Sequence, residues 1–421
     1  MRKGLFASRA VAGALAVTLA LFLAAPPEVL AGGPLAVGGT FGVSGQAFTW
    51  STAAAISYRT DNGPLANGTR FISEADARTR VEAMFQVWQD VTTSNITYSR
   101  AGFISAVGAF AGGDVNTLAE FDAVEGDCNA GNQSPIIYDA DAAIFIALGV
   151  DETSVIGFAG PCALSGGGAI VSGEAVMNGL FQDGDPNPSD LSDASFDAAF
   201  IHEFGHFSGL DHSQINVNCL GGCPADDLLG LPTMFPILVS STMGSLSDDD
   251  IAWISRLYPQ TTGGTTFANT HGTITGTVFF TDGMSQAQGV NVIARRVDTG
   301  ANEDRTNAVS VVSGFRFTSN PGQSVTGTNT GGSSFGSRDP LLIGRFEIPV
   351  PAGDYTVEVE SINATFDAGS SVGPLDPPIP MPGTAPAAVG PITVAAGATV
   401  TGNDFTLVAT DPRFDSFESS P

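Results

Sequence analysis

The chain has 421 residues, 43% of them hydrophobic, which is enough for two domains with separate cores. It carries 43 acidic against 16 basic residues, a formal net charge of −27, and its only lysine is Lys3. Nucleic acids and anionic membranes attract cationic surfaces, so this balance excludes both as partners. Solubility is the simplest reason for the acidity, and a salt-adapted or calcium-loaded surface is the alternative.

The N-terminus has the features of a secretory signal peptide. Basic residues at positions 2, 3 and 9 precede an apolar run over residues 11–25, and Val29 and Ala31 form a small-residue cleavage site. We expect residues 1–31 to be removed and the mature chain to be secreted or periplasmic; an uncleaved signal that acts as an anchor is the alternative. No later stretch reaches the roughly 18 apolar residues of a membrane span, so we expect no membrane contact after cleavage.

Residues 32–260 mix strand and helix patterns, which predicts an α+β domain. Ser73 with Asp76, and Ser247 with Asp250, are capping signals that each precede an apolar helical stripe. Residues 166–177 are glycine-rich and then β-like, which predicts an exposed edge strand. Further strands are predicted within residues 48–59, 96–98 and 142–148.

The second part of the chain has a different pattern. QTTGGTT over residues 260–266 follows Pro259, and we place a linker over residues 261–273. Residues 274–410 contain short alternating runs separated by Gly, Pro and Asn, which predicts an all-β sandwich domain, and residues 411–421 form a tail.

Four cysteines are an even number in an exported chain, which favours two disulfides over free thiols. They are Cys128, Cys162, Cys219 and Cys223. Three pairings are open, and Cys128 with Cys162 and Cys219 with Cys223 is the preferred one because the last two are close in sequence. A zinc site at the final pair is the alternative, and it lacks further ligands.

Three of the four histidines lie in the string HEFGHFSGLDH, residues 202–212, which has the form HExxHxxGxxH. His202 and His206 are one turn apart on one helix face, so their imidazoles can bind the same cation. Gly209 can adopt the left-handed conformation that ends a helix, which turns His212 back toward the metal. Three nitrogen ligands leave the fourth position of a tetrahedral Zn²⁺ open, as in catalytic zinc sites.

Glu203 follows the first histidine, where its carboxylate can take a proton from water and later return it to a leaving amine. Four phenylalanines lie at helical spacing on the opposite face, which predicts a helix that packs on one side and binds on the other. They are Phe196, Phe200, Phe204 and Phe207. The alternatives are a chance grouping of histidines and a relative that keeps its metal without turnover.

Residues 48–258 resemble the metzincin zinc peptidases, and within them the matrixin-like branch. Beyond the zinc motif, Ser213 follows the third histidine, PTMFP over residues 232–236 resembles the Met-turn, and LSDDDI over residues 246–251 resembles the final capped helix. The resemblance implies a mixed twisted sheet with three main helices, a substrate extended along an edge strand within residues 166–177, and Met234 beneath the metal. Met243 is the alternative Met-turn residue.

Several features depart from that branch. No cysteine precedes Cys128, so its cysteine-switch latency is excluded. His271 is the only other histidine, so the branch's second, histidine-bound zinc has no ligands, and we expect His271 to be a surface residue. The 22 residues from His212 to Met234 hold Cys219 and Cys223, which predicts a disulfide-pinned loop beside the cleft.

A calcium site is a further prediction. Oxygen-bearing side chains alternate over residues 183–190, which suits a hard cation, and a plain turn rich in Asp and Pro is the alternative. The side chains are Asp183, Asp185, Asn187 and Asp190.

Residues 274–410 resemble, loosely, the carboxypeptidase-regulatory-like or transthyretin-like β-sandwiches, which implies a stabilising, spacing or adhesive role. The complete interpretation is a secreted zinc metalloendopeptidase acting on protein or peptide substrates. An extracellular binding or adhesive protein with a vestigial peptidase domain is the alternative. Oligomeric state has no signal in the sequence.

Overall fold

The computed structural model describes residues 33–38, 43, 45–287, 289–314, 342–362 and 383–409. The predicted signal peptide and C-terminal tail lie outside these ranges. The described chain is mixed α/β, with eight α-helices and several sheets, and its second part is β-rich. No helix within these ranges combines the length and apolar character needed to cross a bilayer.

The first part contains a six-stranded sheet in which every pairing but one is parallel. Its strands are β1 (Thr49–Trp50), β2 (Ile56–Thr60), β5 (Tyr98–Phe103), β6 (Pro135–Asp139), β7 (Gly157–Leu164) and β8 (Ala169–Asn178). A separate hairpin joins β3 (Ala66–Asn67) to β4 (Phe71–Ile72). The exception is β7, which runs antiparallel along β8 and pairs with no other described strand.

The prediction that residues 166–177 form the edge strand is wrong. Most of them form β8, which pairs with β6 and β1 as well as with β7 and therefore lies inside the sheet. The glycines that suggested exposure form the tight turn between β7 and β8, where Gly168 has a φ of +86°. The strand at this edge of the sheet is β7, and β5 lies at the opposite edge.

Four helices of ten or more residues pack with this sheet: α1 (Glu74–Gln89), α2 (Leu118–Asn129), α4 (Asp193–Phe207) and α6 (Asp248–Leu257). The capping predictions are confirmed, because Ser73 accepts from the backbone of Asp76 and Ser247 forms a full capping box with Asp250. Helix α2 is additional to the three main helices that were predicted. Its own capping box joins Thr117 and Glu120.

The strand predicted at residues 142–148 is wrong, because this segment forms the short helix α3 (Ala143–Leu148). The buried carboxylate of Asp139 accepts hydrogen bonds from the backbone of Ile144 and Phe145 at 2.9 and 3.0 Å, which satisfies the free N–H groups of the first turn. Gly149 ends the helix with a φ of +72°. A six-residue apolar run is too short for its hydrophobic periodicity to distinguish a helix from a strand. The strand in this region is β6, which ends at Asp139, before α3 begins.

The β-rich part contains two four-stranded sheets. One has β11 (Ala308–Val312), β10 (Asn291–Arg296), β13 (Gly353–Glu360) and β14 (Val389–Val394) in that spatial order. The other has β9 (His271–Phe279) between β12 (Arg345–Pro351) and the short β15 (Thr399–Val400), with β16 (Phe405–Thr406) also on β9. The predicted linker contains helix α7 (Phe267–Thr270) and the start of β9. The remaining short helices are α5 (Ala225–Leu229), in the first part, and α8 (Glu303–Thr306).

One continuous apolar cluster contains residues of both parts. Phe204 and Trp253 from the first part belong to the same buried group as Val292 and Phe346 from the second. The indole N–H of Trp253 donates to the carbonyl of Ser310 in β11 at 2.8 Å. Helix α6 therefore packs directly on the β-rich part.

The preferred cysteine pairing is confirmed. Cys128 in α2 is bonded to Cys162 in β7, and Cys219 is bonded to Cys223 in the segment that follows the histidine motif. No free cysteine exists among the described residues. The Cys219–Cys223 pair is therefore a disulfide and does not offer the two thiolates that a zinc site would need.

Candidate metal centre

Helix α4 brings the first two histidines to one side and packs the other side into the core. Ser192 caps its first turn, and the four phenylalanines of its apolar face are fully buried. The rings of Phe204 and Phe85 stack with their centroids 3.8 Å apart. The helix stops at Ser208, and Gly209 has a φ of +88°, so the predicted left-handed turn is confirmed.

The three histidines meet at one point. Their Nε2 atoms are separated by 3.1 Å from His202 to His206, 3.1 Å from His206 to His212, and 3.2 Å from His202 to His212. Three nitrogens at tetrahedral positions about 2.0–2.1 Å from one zinc ion would be about 3.3 Å apart. The donor set and its spacing therefore fit a single metal ion with a ligand position left open.

Backbone carbonyls fix two of the rings. The Nδ1 of His202 lies 2.7 Å from the carbonyl of Thr233, and the Nδ1 of His206 lies 2.9 Å from that of Leu210. A carbonyl only accepts, so each Nδ1 carries the proton and donates, and each Nε2 presents its lone pair to the shared point.

Burial also keeps the histidines neutral, which metal binding requires. Loss of solvent lowers the pKa of His202 to about 4 and that of His206 to about 3, and the neighbouring His202 adds to the second shift. The same effect, together with the other two rings, holds the pKa of His212 well below its usual range. All three imidazoles are thus unprotonated at neutral pH.

Glu203 lies on α4 beside the histidines and beneath the start of the edge strand. Its side chain is 8% exposed, and a Cβ atom built on Gly157 of β7 would be 3.2 Å from the Glu203 Cγ atom. Burial raises the pKa of this carboxyl to about 8, and a nearby cation would favour the carboxylate form. Strand β7 therefore runs over the acid that neighbours the histidine group.

Met234 lies directly below helix α4. A Cβ atom built on Gly205, between the first two histidines, would be 3.0 Å from the Met234 Cε atom and still closer to its sulfur. Met243 belongs instead to a different apolar cluster, with Leu231, Phe235 and Cys219. Of the two methionines, Met234 is the one beneath the histidines.

Helix α6 holds the Met234 segment in place. The two carboxylate oxygens of Asp250 accept from the backbone of Thr233 at 2.9 Å and of Met234 at 3.0 Å. The carbonyl of Met234 then accepts from the backbone N–H of Ser213 at 2.7 Å, immediately after the third histidine. The buried carboxylate of Asp250 thus links helix α6 to the segment that contains Thr233, whose carbonyl binds His202. Through the Met234 carbonyl, the same segment is joined to Ser213, the residue after His212.

The predicted calcium residues do not converge. The three groups of possible metal ligands among the described residues do not include Asp183, Asp185 and Asp190. Asp183 accepts from the backbone of Asp185 at 2.8 Å, and Asp190 accepts from that of Gly184 at 3.1 Å, as in a turn. Asn187 precedes a proline at a cis peptide bond in the same turn. Each of the other two groups contains two cysteines that are joined in a disulfide. Among these three groups, the histidine group is therefore the one whose ligand atoms are all available to a metal ion.

The expectation that His271 is a surface residue is wrong. It is 4% exposed, its ring stacks on Phe267, and its Nδ1 lies 2.8 Å from the hydroxyl of Thr270. The glycine-rich residues before it suggested an exposed linker, but α7 and β9 cover the ring. It lies away from the three clustered histidines.

No protein-family model matches this chain, and no curated protein matches it either.

Proposed function

We propose that this chain is a secreted zinc-dependent endopeptidase of the metzincin type. The observation that carries the proposal is the convergence of three neutral histidine nitrogens within 3.2 Å of one another, beside Glu203 and under an open strand edge. His202, His206 and His212 would hold the ion. When bound, zinc would lower the pKa of water and polarise a substrate carbonyl.

The chain's own groups account for the remaining steps. No described strand pairs with the outer edge of β7, so its backbone N–H and C=O groups there can bind an extended peptide as an added strand. Glu203 would take the proton of the attacking water and pass it to the nitrogen of the leaving amine. Its burial between α4 and β7 excludes bulk water from that transfer.

The surrounding structure supports the family assignment within the proposal. The resemblance to the matrixin-like branch implies a methionine beneath the histidines, a capped final helix and a mixed sheet, and the chain has Met234, helix α6 and a mixed sheet in these places. The two disulfides suit an exported protein. Calcium has no part in the proposal, because its predicted ligands do not converge.

The test uses the purified mature protein and an unstructured protein substrate. We expect cleavage that a chelator abolishes and added zinc restores, and a loss of at least about 100-fold in Glu203→Gln, the scale of general acid and base catalysis. Glu82→Gln changes an exposed carboxylate on α1 and should leave the rate unchanged.

Two outcomes would overturn the proposal. Cleavage that survives either the chelator or Glu203→Gln would show that the histidine group is not the catalytic centre. Zinc binding with no cleavage of a peptide library would favour the vestigial alternative, in which the β-rich part carries a binding role.

A further inference from the structure

The residues that follow the third histidine pack on strand β10 of the β-rich part. The side chain of Asn291 donates to the carbonyl of Gln214 at 3.0 Å. Ile215 is 1% exposed and shares a small apolar cluster with Ile293 and Ala308. Because alternate residues of a strand point to one face, Asn291 and Ile293 present a continuous surface to this segment.

Asn216 contacts Arg295, the third residue on that face of β10. The Oδ1 atom of Asn216 accepts from Arg295 at 3.1 Å and from Arg305 at 3.3 Å. Its Nδ2 donates to the carbonyls of Asp227 at 3.1 Å and Arg305 at 3.4 Å. The side chain is fully buried, and all of its hydrogen-bonding groups are used.

The two arginines have their own acidic partners. Arg295 is 5% exposed and pairs with Glu358 and Glu360 of the neighbouring strand β13. Arg305 binds both oxygens of Asp227, at 2.5 and 2.7 Å, in the loop between His212 and Met234. Removing the Asn216 amide therefore leaves every one of these charges paired, and the loss is confined to the contact with the segment after His212.

His212 has the greatest need of such support among the three ligands. Its Nδ1 is buried and has no hydrogen-bond partner in the described part of the chain, whereas carbonyls fix the other two rings. On its N-terminal side the chain turns at Gly209, the most permissive residue type. Its backbone is therefore held on both sides, by the bonds of Leu210 and Asp211 to the carbonyls of Gly205 and Gly33 before it and by residues 213–216 after it.

We propose that strand β10 of the β-rich part positions His212, with Asn216 as the positioning residue, so that both parts of the chain are needed for the metal centre. This inference depends on metal binding by the histidines, the first step of the proposed function. It gives the β-rich part a role in the site itself, in place of the spacing or adhesive role implied by resemblance.

The test measures zinc affinity in the full mature chain by competition with a chromophoric chelator, together with the visible spectrum of the Co²⁺-substituted protein. Asn216 has a φ of +56°, so Asn216→Gly removes the amide without straining the backbone. The matched control is Asn403→Gly. Asn403 is 8% exposed and donates to the carbonyls of Thr275 and Val400, which belong to the other four-stranded sheet.

We expect Asn216→Gly to weaken zinc binding by about 10-fold or more, the usual effect of removing a group that orients a ligand, and to change the Co²⁺ spectrum. Asn403→Gly should lower the melting temperature without changing the affinity. Asn216→Asp keeps the acceptor for both arginines and should restore most of the affinity. Should Asn216→Gly fail to fold, Asn291→Ala removes only the bond to Gln214 and should weaken zinc binding in the same direction.

The outcomes separate the two proposals. Equal zinc affinity in wild type, Asn216→Gly and Asn403→Gly would overturn the positioning role and leave the peptidase proposal intact. A selective loss of affinity in a protein that cleaves no peptide would support the positioning role and overturn the peptidase proposal. A wild-type chain that binds no zinc would overturn both.

Discussion

A methyl group added at Gly205 tests whether Met234 packs directly under helix α4, which carries His202 and His206. The new Cβ atom would lie 2.9 Å from Trp88 and 3.0 Å from the Met234 Cε atom, with the Met234 sulfur closer than either. Ordinary contacts begin at about 3.4–4 Å. Trp88 is held by its indole bond to the carbonyl of Ile201 at 2.8 Å, so the methionine would have to move.

Two opposing effects determine how Gly205→Ala changes the free energy of unfolding. Alanine is favoured over glycine inside a helix by about 1 kcal/mol, and overpacking a buried contact costs about 1–3 kcal/mol. Gly126 in α2 isolates the helix preference for alanine from the cost of overpacking, because a Cβ atom there has no neighbour within 4 Å. Gly126→Ala should therefore stabilise by about 1 kcal/mol, whereas Gly205→Ala should be less stable than Gly126→Ala by about 1–3 kcal/mol.

The assay is urea denaturation of both variants beside wild type, followed by zinc titration of the folded proteins. Displacing Met234 also disturbs the neighbouring Thr233 carbonyl that orients His202, so Gly205→Ala should bind zinc more weakly while Gly126→Ala binds it normally. Equal stabilisation by the two alanines, with unchanged zinc affinity, would refute the packing of Met234 against Gly205.

Two further predictions concern the β7–β8 region and the disulfides. Burial raises the pKa of Glu174 to about 8 from 4.5, so the folded state keeps a proton that the unfolded state releases, and stability should fall as pH rises from about 4.5 to 8. Glu174→Gln should make this fall smaller, because Glu203 and Asp249, whose pKa values burial also raises to about 8, still contribute. A flat wild-type profile would contradict it. Replacing Cys128 and Cys162 by serine should cost about 2 kcal/mol more in urea titrations than replacing Cys219 and Cys223, because the loops span 34 and 4 residues; equal costs would contradict the loop-entropy argument.

The sequence predicts the parts of the site that depend on neighbours along the chain. The spacing of His202 and His206, the left-handed turn at Gly209 and the caps at Ser73 and Ser247 each involve residues within about one helical turn of one another. Helix α2 had an equally local signal, Thr117 followed three residues later by Glu120, which was present in the sequence and missed.

The errors lie where tertiary pairing decides the outcome. The residues of β8 have the pattern of an edge strand, but β6 and β1 pair with this strand. Strand β7 lies at that edge of the sheet, because no described strand pairs beyond it. His271 follows a glycine-rich stretch, yet Phe267 and Thr270 enclose it once the short helix forms. In each case the local residues are compatible with both states, and the neighbour that selects one is distant in sequence.

The third histidine, His212, differs from the other two because its surroundings include residues outside the eleven-residue motif. Helix α4 fixes His202 and His206 relative to each other, whereas His212 lies beyond the turn at Gly209 and outside the helix. The contact that we propose positions it joins Asn216 to Arg295, 79 residues further along the chain. The eleven-residue motif therefore contains all three histidines of the proposed metal site, whereas the contact proposed to position the third of them involves a strand that the motif does not contain.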